Sequence, residues 1–582
     1  MEGQSYKLIG NKIIIKVNDR LIDNSEELLK SELFDTFLRK ALDLLMTKKS
    51  PLLSIFSNSS VTENEITLLK KTLIYLVKIE CEDVLKVLDG SNLLLSDKDL
   101  FSEFIEFLFN YWRSFERYII CSSDIYDMDK RPYRVFNDTI ELLMHIVRST
   151  YRDIQENITS THPDIYRQVV AGAAMAAITS SHYGISYKGV YSRLASIPMI
   201  RQILLYPPLI LNPPMNKRKG AFVKINQNPL GLINISSSEW YCYPAKVGKL
   251  LIYVYIHEKF LELGFTLCNL FEMAKQEELS GKPDGIYLFG VEGSALDSLA
   301  EYPTVFYEDN INNVLVAAAP NRDEFGYFGY LKKMILTLHN AKIMKEGRMP
   351  FHGALIKIRL NNTREATVLL IGDTGAGKSE TIEAFRVLGS AAINDMKIIA
   401  DDMGSLDIDE NGNIIGYGTE IGAFVRLDDL QPGYAFGQLD RAIIMSASQV
   451  NARAVLPITS YSNVIKGYKI DFVLYANNYD NVDNEDLIIE KFSTPKEALA
   501  VFKEGKVMSK GTTTSTGMTK SYFANIFGPP SYIALHDAIA DKYFKAFFDK
   551  GIFVGQIKTR LGIHGFESTG PHEAAKKLLK LI

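Results

Sequence analysis

Apolar residues recur at helical spacing through positions 26–46, 65–79, 100–119 and 139–154, which predicts a mostly helical region over 1–185. Asn24 followed by Glu27 predicts a capping box just ahead of the first run, with the asparagine as cap. The aromatics between Phe101 and Phe115, Trp112 among them, read as core. From Ile185 the pattern changes. Short β-rich runs at 250–256, 285–289, 304–307 and 314–318 follow one another, and Tyr206-Pro-Pro and Asn212-Pro-Pro interrupt the chain as loop signals. From residue 350 strands and helices alternate to the C-terminus. The expectation is an α/β protein in three parts: the helical region over 1–185, an α/β domain over 186–348 and a nucleotide-binding domain over 349–582.

One stretch carries chemistry on its own. Gly372, Asp373, Thr374, Gly375, Ala376, Gly377, Lys378, Ser379 and Glu380 fit the pattern G-x-x-x-x-G-K-[ST]. An apolar run from Thr367 to Ile371 precedes them as a buried strand, and a helical pattern from Thr381 to Leu388 follows. In that context backbone N–H groups surround a polyphosphate at a helix N-terminus, Lys378 brings charge to the outer phosphates, and the Ser379 hydroxyl reaches a divalent metal. Further on, the apolar run 397–400 ends in Asp401-Asp402, where nucleoside-triphosphate enzymes hold magnesium directly or through water. Lys332-Lys333, His352, Arg426 and Arg453 lie on either side. Taken singly, each is as well explained as surface charge or a satisfied side chain.

Composition narrows the class. The chain has 582 residues, enough for two to four domains, with 47% apolar and 23% charged residues, as in soluble globular proteins. A net charge of -4 gives no reason to expect nucleic acid or an anionic membrane as partner. Four cysteines without metal-type spacing argue for a reducing compartment. The polar opening residues lack the core of a signal peptide, and the longest apolar run, 169–179, is too short for a membrane span. The expected location is cytoplasmic.

Together these pieces resemble the phosphoenolpyruvate carboxykinase family, within the superfamily that also holds HPr kinase/phosphorylase. Tyr327-Phe-Gly-Tyr-Leu-Lys332-Lys333 resembles the family's Y-x-G-E-M-K-K, and His352 follows at the family's spacing. Asp401-Asp402 stands where the family has G-D-D, Glu420 to Arg426 resembles E-G-G-x-Y-A-K, and Asn451 to Ile458 resembles N-T-R-x-x-Y-P-I. Gly511 to Gly528 resembles the family's lid, and Gly189 to Arg193 is weakly similar to its substrate-binding T-G-R-S segment. The likeness covers about 327–530 well and the remainder loosely. Phe351 to Ile358, the glycine loop and Ala400 to Asp402 are equally similar to HPr kinase. The double lysine, the arginine segment and the lid favour the carboxykinase.

The resemblance implies a two-lobed carboxykinase-like core with a mononucleotide-binding C-terminal domain. It implies conversion of oxaloacetate to phosphoenolpyruvate and CO2, with Mn2+ on Lys333, His352 and Asp402, and Mg2+ on Ser379 with Asp401 nearby. Lys378, Arg453 and Arg426 would balance charge in the transfer, and Tyr327 and Arg193 would orient substrate. ATP is the favoured donor, with GTP and pyrophosphate open, because Thr514 and Gly517-Met-Thr519 replace charged lid positions and Arg426 replaces a lysine. A kinase acting on a protein or small-molecule hydroxyl, and a non-catalytic nucleotide-binding protein, are the alternatives. The helical region would then serve a protein partner.

Overall fold

A computed structural model describes residues 4–17, 22–56, 61–123, 132–279, 281–361, 364–427, 436–510, 516–528 and 532–582. The chain is mixed α/β with large mixed sheets and divides into two compact units. One comprises 1–180 with 200–206, the other 181–199 with 207–582.

In the first unit the predicted helical runs form Ser25–Lys30, Glu32–Lys48, Glu63–Leu76, Lys98–Ser114 and Pro132–Thr159. Asn24 caps the first by accepting from the Glu27 N–H at 2.9 Å, but the Glu27 carboxylate bonds the Asp23 N–H instead of closing a capping box. Ser31 divides the first predicted run in two. It is extended, and its hydroxyl caps the Phe34 N–H of the next helix. Helical periodicity also runs on past its real end at Ser114. Tyr118-Ile119-Ile120, an aromatic and β-branched run, belongs to the strand Glu116–Ser122. That strand pairs in parallel with Lys12–Val17 and Met175–Ser180, a sheet that the helical pattern does not foretell. Phe37, Leu38, Leu69, Phe101, Phe104 and Ile140 fill the core between the helices.

The second unit is built on two sheets and a smaller one. The first runs Trp240–Val247, Leu250–His257, Gly285–Val291, Val314–Pro320, Val305–Asp309, Val223–Ile225. The second has Met403–Ile408, Met349–Leu360, Glu365–Ile371, Phe472–Asn477 and Phe553–Lys558 side by side, and Ile393–Ala400 also pairs with Met349–Leu360. Glu365–Ile371 pairs in parallel with Phe472–Asn477 and antiparallel with Met349–Leu360, so the sheet is mixed. The helix Phe328–Lys345 touches strands of both sheets and is buried on nearly every side, Lys333 and Lys345 excepted. Such sandwiching leaves its polar residues, Lys332, His339, Asn340 and Lys342 among them, buried with the apolar ones.

These strands place three polar segments together by backbone bonds alone. Gly372 N–H donates to the His352 carbonyl at 3.2 Å, and Gly353 N–H donates to the Asp402 carbonyl at 2.9 Å. Gly353 lies opposite Ile371, so close that a Cβ there would stand 2.3 Å from the Leu370 carbonyl oxygen. The Gly353→Ala variant is expected to push the strands apart and lower stability by about 1–3 kcal/mol, read as a fall in Tm. An unchanged Tm would contradict this register.

Candidate functional site

The strand Glu365–Ile371 ends where Gly372 begins, and the helix Lys378–Ala392 starts at the end of the glycine loop. Gly375 and Gly377 have φ of +80° and +90°, the left-handed region that glycine enters without penalty. Gly377 has a second reason to lack a side chain: a Cβ would lie 2.5 Å from the Thr559 hydroxyl. That hydroxyl donates to the Ala376 carbonyl at 2.7 Å, and Thr381 bonds the Gly377 carbonyl at 2.6 Å, so the loop is held from both sides. Lys378 is folded back, its ammonium donating to the Gly372 and Asp373 carbonyls at 2.5 and 3.1 Å. Ser379 is exposed in the first turn of the helix.

Beside the loop, Asp402 sits between two partners. Lys332 Nζ lies 2.6 Å from its Oδ2 and His352 Nε2 2.9 Å from its Oδ1. Burial works against ionising Asp402, but Lys332 and the His352 bond outweigh it and hold the carboxyl well below its usual range. For Lys332 the balance is the same: burial disfavours charge, and Asp402 and Glu420 restore it, raising its pKa. Glu420 is fully enclosed, with Oε1 at 3.5 Å from Lys332. Burial first, then Asp402 and Asp401, push its pKa up to about 8, so near neutrality much of it is the neutral acid. Lys333 goes the other way. Burial and then the Arg218 guanidinium lower it to about 8, so part of the population is free amine.

His352 is oriented from its far side. Its Nδ1 bonds the Ala524 carbonyl, which only accepts, so Nδ1 carries the proton. In the neutral ring Nε2 then presents a lone pair to a carboxylate oxygen. Two acceptors at this distance need a proton or a cation between them. His352, Asp402 and the Lys333 amine make a donor set of the kind that divalent transition ions accept. Among the described residues, no group of three His, Cys, Asp or Glu side chains is placed to hold a metal.

A second group is cationic. Arg426 and Arg453 face each other across the antiparallel pair Gly422–Arg426 and Arg453–Pro457, a like-charge placement that on its own is unfavourable. Arg453 is steadied by Asn451 Oδ1 at 3.1 Å and by the Phe424 ring at 5.2 Å. Asn451 also donates to the Asn216 carbonyl at 2.7 Å, and Asn216 donates back to the Val450 carbonyl at 2.7 Å. This clip fixes the loop that bears Arg218, whose charge acts on Lys333 and Tyr327. Tyr327 is buried beside Phe424, its ring 6.0 Å away; burial raises its pKa, and Arg453 and Lys332 oppose the rise.

Of the residues singled out from the sequence, Tyr327, Lys333, His352, Asp402 and Arg453 meet through these bonds and charges. Asp401 is buried at the end of the neighbouring strand. Arg193 is not brought in: its two hydrogen bonds run to the Leu230 and Ile233 carbonyls. Residues 511–515 of the expected lid, Thr514 included, lie outside the described residues. The remainder covers the site. Ser521 donates to Asp373 Oδ2 at 3.1 Å, and Phe527 stands 5.1 Å from the Lys333 ammonium. Arg218, the fully buried setting of Glu420 and the Lys332–Asp402 pair were beyond sequence reasoning. Arg218 stands in a Lys-Arg-Lys run that looks like ordinary surface charge.

Glu420 gives the site a pH signature. Its folded pKa of about 8 is raised above the unfolded value near 4.5, so the folded state binds the extra proton and stability falls as pH rises through that window. Metal-free Glu420→Gln protein is expected to gain Tm relative to the parent between pH 5 and 8. A constant difference across that range would refute the assignment. No protein-family model and no curated protein matches the chain.

Proposed function

We propose that the chain is a phosphoenolpyruvate carboxykinase-like enzyme, which decarboxylates oxaloacetate and phosphorylates the resulting enolate with a nucleoside triphosphate, ATP being favoured. On this reading the second unit is a two-lobed carboxykinase-like core. The carrying observation is the backbone pinning that sets His352 and Asp402 against the first residue of the glycine loop, with Lys332 and Lys333 presented from one helix.

Lys333, His352 and Asp402 would hold Mn2+, and Ser379 and Asp401 Mg2+; these ions would supply Lewis acidity at the keto oxygen and at the phosphates. Arg453 and Arg218 would grip the substrate's carboxylates, since a guanidinium fork matches that geometry. Tyr327, beside Phe424 and within the field of Arg453, would orient the same substrate. As the carbon–carbon bond breaks, CO2 leaves and its electron pair becomes the enolate. The enolate oxygen then forms a bond to the terminal phosphorus, while the bridging oxygen departs on the nucleoside diphosphate. Lys378 must give up the Gly372 and Asp373 carbonyls to follow that charge, and Arg453 and Arg426 would help to balance it. Phe527 and the Ser521 segment screen the enolate from water, which would otherwise protonate it to pyruvate.

Phosphoenolpyruvate formation from oxaloacetate with Mn2+ and Mg2+, and with ATP, GTP and pyrophosphate supplied separately, tests the reading. Product with one donor supports it and names the donor. Nucleotide binding without product from any donor would shift the assignment to a kinase with another acceptor. His352→Ala is expected to lower turnover by about 10²-fold or more while nucleotide still binds. Full turnover in that variant would remove His352 from the site.

A further inference from the structure

The first unit carries a second pocket, built from different chemistry. A cavity of about 410 Å3 opens between the helices Lys98–Ser114 and Pro132–Thr159 and the segment 161–169, within the range of small-molecule sites. Arg113, Arg148, Arg152 and Arg167 line it, against the two carboxylates of Glu106 and Glu156.

Those carboxylates are already engaged. Glu106 takes the Tyr151 hydroxyl and the Asn110 amide, and Glu156 takes the Tyr166 hydroxyl and the His162 ring. The arginines have only weak or neutral partners. Arg148 reaches the Val169 carbonyl at 3.4 Å, and its buried Nε has no hydrogen-bond partner. Arg152 donates to the Gln168 side chain at 2.7 Å and lies 4.9 Å from the Tyr166 ring, and Arg113 donates to Asn110 at 3.1 Å. Among the described residues none of the four forms an ion pair with a carboxylate. Four guanidiniums converge on one cavity against two carboxylates that other donors already occupy, so positive charge is in excess there, and a buried donor left unmet is costly. Aromatic faces complete the wall, with Phe109 stacked on Tyr151 at 4.1 Å between centroids.

We propose that this pocket binds a small organic polyanion, its phosphoryl or carboxylate groups held by Arg148, Arg152 and Arg167 and its body against the Phe109–Tyr151 face. The volume exceeds what a bare inorganic ion fills, and bidentate guanidinium pairing suits either anion. The site is independent of the glycine loop and of the reading proposed for it.

The full chain carrying Lys378→Met, to weaken the loop, is titrated calorimetrically with AMP, pyrophosphate and citrate. AMP or citrate is expected to bind, and which one does distinguishes a nucleoside monophosphate from a polycarboxylate; binding of pyrophosphate alone would mark an inorganic-anion site and overturn the organic occupant. Adding Arg148→Met with Arg152→Met is expected to weaken that binding about tenfold or more, since charged hydrogen bonds are lost. Arg167→Met, an exposed change that disturbs no core contact, is expected to weaken it about threefold. It decides the matter if the double variant does not fold. Binding of none of the three probes, or binding indifferent to Arg167 and to the Arg148–Arg152 pair, overturns the proposal.

Discussion

The carboxylate of Asp402 is the constraint on which the second unit's polar centre depends. Lys332, with only 3% of its side chain exposed, could not remain charged there alone, because burying an unpaired ammonium costs several kcal/mol. Asp402 in turn keeps its charge against burial only because Lys332 and His352 are both at hand. Neither half of the arrangement is stable without the other. The backbone makes the meeting obligatory, since the strand carrying His352 is bonded on one side to the loop strand and on the other to the strand that ends in Asp402.

Once that charge is satisfied, the remaining groups separate by environment. Two adjacent lysines on one helix end with opposite shifts, Lys332 raised by carboxylates and Lys333 lowered by burial and Arg218. Two carboxyls near one ammonium also diverge, Asp402 held ionised and Glu420 pushed toward the acid. Pairs driven apart in this way are where acid–base and metal chemistry is commonly found, because each member is committed to one role. Arg426 and Arg453 oppose each other in register, and the loop bearing Arg218 is clipped in by Asn451.

Much of this frame was legible in the sequence. The strand before the glycine loop, the helix after it and the strand leading to Asp402 all carry strong local patterns, and they form Glu365–Ile371, Lys378–Ala392 and Ile393–Ala400. What local pattern could not supply was tertiary. Nothing in Lys332-Lys333 says which lysine will face Asp402, because adjacent helical positions look alike until the sheets pack around them. Arg218 is silent for the same reason, and Arg193, which sits in a motif-like segment, is spent on two carbonyls. The strand Glu116–Ser122 was masked because its apolar residues continue the phase of the preceding helix.

The segment after the described lid strand ties these parts together. Phe523, Ala524 and Asn525 are three consecutive residues with positive φ, at 45°, 56° and 61°. Asparagine tolerates that region, but for the other two it costs roughly 1–2 kcal/mol each. What the strain secures is direction, because it turns the Ala524 carbonyl onto His352 Nδ1 while Ser521, just upstream, reaches Asp373 in the loop. Two residues on, the Phe527 carbonyl accepts from the buried Asn340 of the lysine helix at 2.7 Å. One strained segment thus fixes the tautomer of His352, touches the glycine loop and anchors to the helix bearing Lys332 and Lys333. Displacing it would release all three at once, so the proton on His352 and the cover over the loop are coupled through a single stretch of backbone.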